Sequence, residues 1–246
     1  MRPIEKAKPG DKVTYMDSCG NDVEHEVQTD YDPYGKAKMP LVGNLGTYCS
    51  YCEGKRQPSN LAVEHMAAKS KGGPETEWNN FLLSCNICNS VKGTVVPDDQ
   101  YHWPHINNTF LSFIYDETGR MRVNKDIPLI SQKKAENLMK LVKLQRYKDD
   151  MDKPSEMDYR WYERYKCWKW AERFKGLYEE GKLTADDIIE AARYKGNWSV
   201  WFTVFKGKDE ILKRLITDFP GTCASCFDEN NHYAPIERNK GCEDPV

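Results

Sequence analysis

Cys49-Ser50-Tyr51-Cys52, Asn60-Leu61-Ala62-Val63-Glu64-His65, Trp78-Asn79-Asn80-Phe81-Leu82-Leu83-Ser84-Cys85 and Cys88-Asn89-Ser90-Val91-Lys92-Gly93 follow one another within 45 residues. Two C-x2-C pairs supply four thiolates at the spacing of a tetrahedral zinc site, with a loop of thirty-two residues between Cys52 and Cys85. Cys49, Cys52, Cys85 and Cys88 are therefore expected to hold structural Zn2+. Four protein ligands leave no open position for water, so chemistry must come from what the knot positions. Binding free energy of roughly 10 to 16 kcal/mol is available at such a site to order a segment with little core of its own.

Working outward, Leu61 to His65 reads as a short strand. The polar stretch Lys69 to Glu77, with Gly72-Gly73-Pro74, reads as a loop, and Phe81-Leu82-Leu83 as the returning strand. Cys88 to Lys92 fits one or two helical turns, stopped by Gly93 and again by Pro97. The chain of 246 residues is long enough for one small module plus a helical domain, and carries a formal net charge of -2 with a mean hydropathy of -0.79. No apolar run approaches the ~20 residues of a bilayer span, and Met1-Arg2-Pro3-Ile4-Glu5-Lys6 lacks the apolar core of a signal peptide, so a cytoplasmic chain with no membrane partner is expected. Reduced thiols in that compartment make metal ligation a better reading of the nine cysteines than disulfides.

Inside the knot, His65 offers a neutral imidazole whose reference pKa of about 6.5 suits it to take a proton from water. Glu64 and Asn89 offer oxygen donors of the kind a hard divalent cation such as Mg2+ takes while keeping sites for water and phosphate. Taken together, the groups describe a one-metal phosphodiesterase.

The same residues resemble the HNH (ββα-metal, His-Me finger) endonuclease motif, over about 45 residues. The resemblance implies that His65 is the general base, that Glu64 and Asn89 bind a catalytic Mg2+ or Mn2+ ion, that Asn80 orients the general-base loop, and that Lys92 contacts phosphate. It implies hydrolysis of DNA phosphodiesters without a covalent enzyme intermediate. Two positions depart from the pattern: Glu64 stands where Asp is frequent, and Ala67-Ala68 where a Pro is usual. More narrowly, Met1 to Ile4, Tyr48 to Glu53, and Trp103-Pro104 followed by Asn108-Thr109 look like the HNH subunit of Septu-type antiphage defence, which implies an ATPase partner.

The expected fold class is α+β: the zinc-stapled ββα-metal module at 49–96, preceded by an extension at 1–48 with a strand such as Lys12 to Tyr15. A loop and hairpin follow at 97–130, then a mainly α-helical C-terminal domain at 131–217 and a tail at 218–246. Ser131 is expected to cap the first helix of that domain, with further helices at about 156–180, 184–195 and 198–217, Thr184-Ala185-Asp186-Asp187 opening the second of these. Segment 131–217 carries twenty Lys and Arg against fifteen Asp and Glu, so any polyanion contact would concentrate there and at the zinc module. Arg160, Arg164, Lys166, Lys169 and Arg173, interleaved with Trp161, Tyr165, Trp168 and Trp170, read either as a DNA-facing helix or as an amphipathic helix. The second is favoured, with Trp161, Tyr165 and Trp168 buried at core spacing. Cys223, Cys226, His232 and Cys242 leave a second zinc site open, and His102 and His105 are loop histidines that could reach phosphate. A zinc-stabilised nucleic-acid-binding or adaptor protein without cleavage is the alternative function.

Overall fold

The computed structural model describes residues 1–94 and 100–246. The stop expected at Pro97 falls outside them. Strands β1 (Lys12–Met16) and β2 (Asp22–Glu26) form a hairpin, and helix α1 (Lys38–Leu45), which the sequence reading did not anticipate, packs on it. Next come β3 (Leu61–His65), β4 (Phe81–Cys85) and α2 (Asn86–Lys92), the strand, loop, strand, helix order expected. β3 and β4 pair antiparallel with Leu61 opposite Cys85 and His65 opposite Phe81. All five residues of β4 are buried, because α1 and α2 both pack against this hairpin. Helix α2 stops at Gly93, whose φ of 62° is a backbone setting that suits glycine.

Residues 109–123 hold a short helix α3 (Thr109–Ser112) before the hairpin of β5 (Phe113–Tyr115) and β6 (Met121–Val123). The Asn108 side chain accepts from the backbone N–H groups of Phe110 and Leu111, which starts a helical turn ahead of the hairpin expected within 97–130. Helix α4 (Leu129–Leu141) begins two residues before Ser131, whose hydroxyl donates to Asp244 at 2.6 Å instead of capping. α5 (Arg160–Glu179) and α6 (Ala185–Lys195) follow, the second opened by a capping box in which Thr184 and Asp187 exchange hydrogen bonds. The helix expected over 198–217 is two, α7 (Trp198–Val204) and α8 (Asp209–Thr217), broken at Gly207 with φ 84°.

The buried face of α5 differs from the expected one. Arg160, Arg164, Cys167 and Ala171 are buried at i, i+4, i+7 and i+11, while Trp161, Tyr165 and Trp168 are half-buried and Trp170 is exposed. The arginines go inside because acceptors wait for them there: Asp158 and the carbonyls of Val142 and Lys143 for Arg160, those of Gly119 and Leu144 for Arg164. On the outer face Lys166 and Lys169 pair with Glu163 and Glu172 of the same helix, so much of its positive charge is already offset. Among the described residues no helix is long and apolar enough to cross a membrane.

Candidate nuclease site

The sulfur atoms of Cys49, Cys52, Cys85 and Cys88 all lie within 4.8 Å of one another and all four residues are buried. Cys52 Sγ and Cys85 Sγ stand 3.7 Å apart, close to the edge of about 3.8 Å that Zn–S bonds of about 2.3 Å give a tetrahedron. Backbone geometry prepares the set. Glu53 N–H donates to the Cys49 carbonyl at 2.9 Å, closing the first knuckle, and Ser50 N–H donates to the Leu83 carbonyl at 2.8 Å, tying that knuckle to β4. The donor set and its spacing fit structural zinc.

Glu64 and His65 end β3 and, being adjacent in a strand, project to opposite faces. The His65 ring lies edge-on between Tyr34 and Phe81, with ring centroids 4.8 and 5.0 Å away. Its Nε2 lies 2.9 Å from the carbonyl oxygen of Glu75. A carbonyl only accepts, so Nε2 carries the hydrogen and, in the neutral ring, Nδ1 holds the free lone pair. That is the arrangement a general base needs: one nitrogen oriented, the other without a hydrogen-bond partner among the described residues.

The Glu75 carbonyl is in turn positioned by Asn80. The Asn80 carboxamide is buried, accepts from Ala67 N–H at 2.8 Å, and donates to the carbonyls of Ala67 at 2.9 Å and Pro74 at 2.7 Å. The start and the middle of the loop between the strands are thereby fastened to one side chain at its end. Gly73 is required within this loop, since a Cβ there would collide with the Ala67 carbonyl. Asn80 thus ties the loop that follows His65 to the start of β4.

On the other face, Glu64 is 2% exposed and both its oxygens are engaged: Lys92 Nζ stands 2.6 Å from Oε1, and Tyr51 donates its hydroxyl to Oε2 at 2.6 Å. Burial and the neighbouring carboxylate push the Tyr51 hydroxyl well above its ordinary pKa, which keeps it a donor. Lys92, equally buried, also donates to the His65 carbonyl at 2.9 Å. Asn89 is exposed on α2. Arranged this way, the residues do not fit a divalent ion at Glu64, because an ammonium already answers its charge. Lys92 likewise turns inward to Glu64 and not outward to a phosphate.

The other candidates stand apart. His102 is buried, with Nδ1 2.8 Å from Ser112 Oγ and Nε2 3.1 Å from Asp244, which also takes Ser131 and Lys134. A Ser–His–Asp order can activate a serine, but Ser112 is fully buried, so the network anchors the tail. Burial lowers the His105 pKa to about 3, which leaves it neutral. Cys223 and Cys226 lie 3.1 Å apart, whereas His232 is bonded to Asp209; among the described residues only Cys49, Cys52, Cys85 and Cys88 assemble as a metal cluster. Sequence reasoning missed Tyr34, Tyr51, Gly73 and the Glu75 carbonyl. Tyr51, inside the first cysteine pair, could have been suspected, whereas a backbone carbonyl leaves no side-chain signal.

A search of curated proteins finds no match to the chain. Residues 49–94, which hold the cysteine cluster, His65 and Asn80, match the family model described as HNH endonuclease, and a domain of that family points to nuclease activity.

Proposed function

We propose that the protein is an endonuclease that hydrolyses DNA phosphodiesters, with His65 as its general base. The His65 imidazole carries this reading: Nε2 is held by the Glu75 carbonyl and Nδ1 is left with its lone pair. In the proposed reaction Nδ1 takes a proton from water, the water oxygen forms a bond to phosphorus, and the opposite P–O bond breaks in line, its oxygen leaving with the electron pair and taking a proton from solvent. Tyr34 and Phe81 limit the ring's rotation, and Asn80 acts as a positioning residue by holding the loop that presents the Glu75 carbonyl. The zinc knot ties the Cys49–Cys52 turn to the end of β4 and to α2 and takes no part in the bond making. HNH relatives use a divalent ion to neutralise charge on phosphate. Dependence on Mg2+ or Mn2+ is part of the proposal by that likeness, although in this structure Lys92 holds the Glu64 carboxylate that the likeness would assign to the ion.

A place in antiphage defence beside an ATPase subunit is proposed on the likeness of Tyr48 to Glu53 and of the Trp103-Pro104 segment to Septu-type proteins. The competing reading is a zinc-stabilised adaptor that binds nucleic acid without cutting it. Incubating the zinc-loaded protein with supercoiled plasmid, linear duplex, single-stranded DNA and RNA, with and without added Mg2+ or Mn2+, separates the two. Nicked or linear DNA product supports the nuclease. Retention of DNA on a filter with no product under any of these conditions supports the adaptor.

A further inference from the structure

Helix α5 sends its first side chain into the zinc knot. Arg160 is 5% exposed, and all five of its N–H donors have acceptors. Nε and Nη2 form a fork on Asp158, at 2.8 Å to Oδ1 and 2.7 Å to Oδ2. Nη2 also reaches the Lys143 carbonyl at 3.3 Å, and Nη1 the Val142 carbonyl at 2.8 Å. The remaining donor of Nη1 points at Cys88 Sγ, 3.1 Å away. Because Asp158 and two carbonyls at the end of α4 fix the guanidinium plane, the Nη1–H···S contact is built rather than incidental.

Four thiolates and one Zn2+ carry two net negative charges, and here they would be buried. A hydrogen bond from a cation to one sulfur offsets part of that charge and fixes the sulfur's position for the metal. Cys88 sits on α2, the helix that also carries Asn89 and Lys92. The contact therefore joins the helical region to the base of the candidate site through a metal ligand.

We propose that Arg160 is a positioning residue of the zinc site, donating to the Cys88 thiolate so that helix α5 sets how firmly the ion is held and where α2 stands. The proposal rests on zinc at the four cysteines and is independent of whether the protein cuts DNA.

The test uses the full chain in zinc- and cobalt-loaded forms. Arg164 is the control: it is buried one turn further along α5 and bonds only carbonyls, those of Gly119 and Leu144. Arg160→Lys is expected to weaken zinc retention against a chromogenic chelator by about tenfold to a hundredfold. In the Co2+ form it is expected to move the thiolate-to-cobalt charge-transfer band to longer wavelength, since a sulfur without its donor gives up an electron more easily. Arg164→Lys is expected to leave that band in place even where it lowers stability. Should Arg160→Lys fail to fold, the double variant Asp158→Asn with Arg160→Gln removes both charges together and is read the same way. Zinc retention and a cobalt band unchanged from wild type in the folded Arg160 variant, or an equal band shift in Arg164→Lys, overturns the proposal.

Discussion

Asn80 and Ala67 exchange a pair of hydrogen bonds, with the carboxamide oxygen accepting from Ala67 N–H at 2.8 Å and its nitrogen donating to the Ala67 carbonyl at 2.9 Å. The same nitrogen also holds the Pro74 carbonyl, one residue before the carbonyl that orients His65. Asn80→Ala removes all three bonds and is expected to cost about 1 to 3 kcal/mol of stability. On the proposed mechanism it should also slow cleavage more than it weakens DNA binding, since His65 loses its orientation while its imidazole stays. Denaturant titration and a comparison of cleavage rate with DNA affinity check this; full activity in Asn80→Ala would remove the residue from the site's support.

The buried pair of Glu64 and Lys92 carries a second expectation. Glu64→Gln leaves an ammonium buried without its counter-charge and is expected to cost about 3 to 5 kcal/mol, while Glu64→Gln combined with Lys92→Met should recover much of that loss. Strictly additive losses in denaturant titrations of the single and double variants would show that the two groups do not act as a pair.

Elemental analysis is expected to find zinc on the purified chain and to lose it in Cys85→Ser. Chelation should unfold residues 49–94 first, because the hairpin and α2 are joined through the ion, and amide exchange on these segments reads the effect. Exchange unchanged by metal removal would mean that the cluster is not a structural zinc site.

Asp244 gives a pH expectation. Burial would push its carboxyl up, but hydrogen bonds from His102, Ser131 and Lys134 outweigh that and hold it well below the usual carboxylate range. Its folded pKa being depressed, the stability it contributes is fully present above the unfolded value of about 3.9 and is lost as pH falls through the folded one. Asp244→Asn is expected to lose about 1.5 to 3 kcal/mol at neutral pH and to converge on wild type in strong acid. A difference that stays constant across this range would contradict the assigned network.

Much of the module could be read from residues because its signals are local. Paired cysteines, two five-residue strands and a glycine stop each declare themselves within a few positions, and β3 and β4 begin at Leu61 and Phe81 as read. The buried face of α5 could not, because nothing local says that an arginine will find Asp158, two helix-end carbonyls and a sulfur inside. Ser131 shows the same limit: a good capping residue was claimed by an aspartate more than a hundred positions away. The Glu64–Lys92 pair lay in plain view as two charged residues, yet the contact between them depends on how α2 packs against β3.

The proposed role of His65 is to take the proton from the attacking water. It is tested most directly by the DNA-cleavage rate of His65→Ala measured beside wild type at equal zinc content and equal thermal stability. A loss of at least about a hundredfold in rate with DNA binding retained is expected. Cleavage by His65→Ala at the wild-type rate would contradict it.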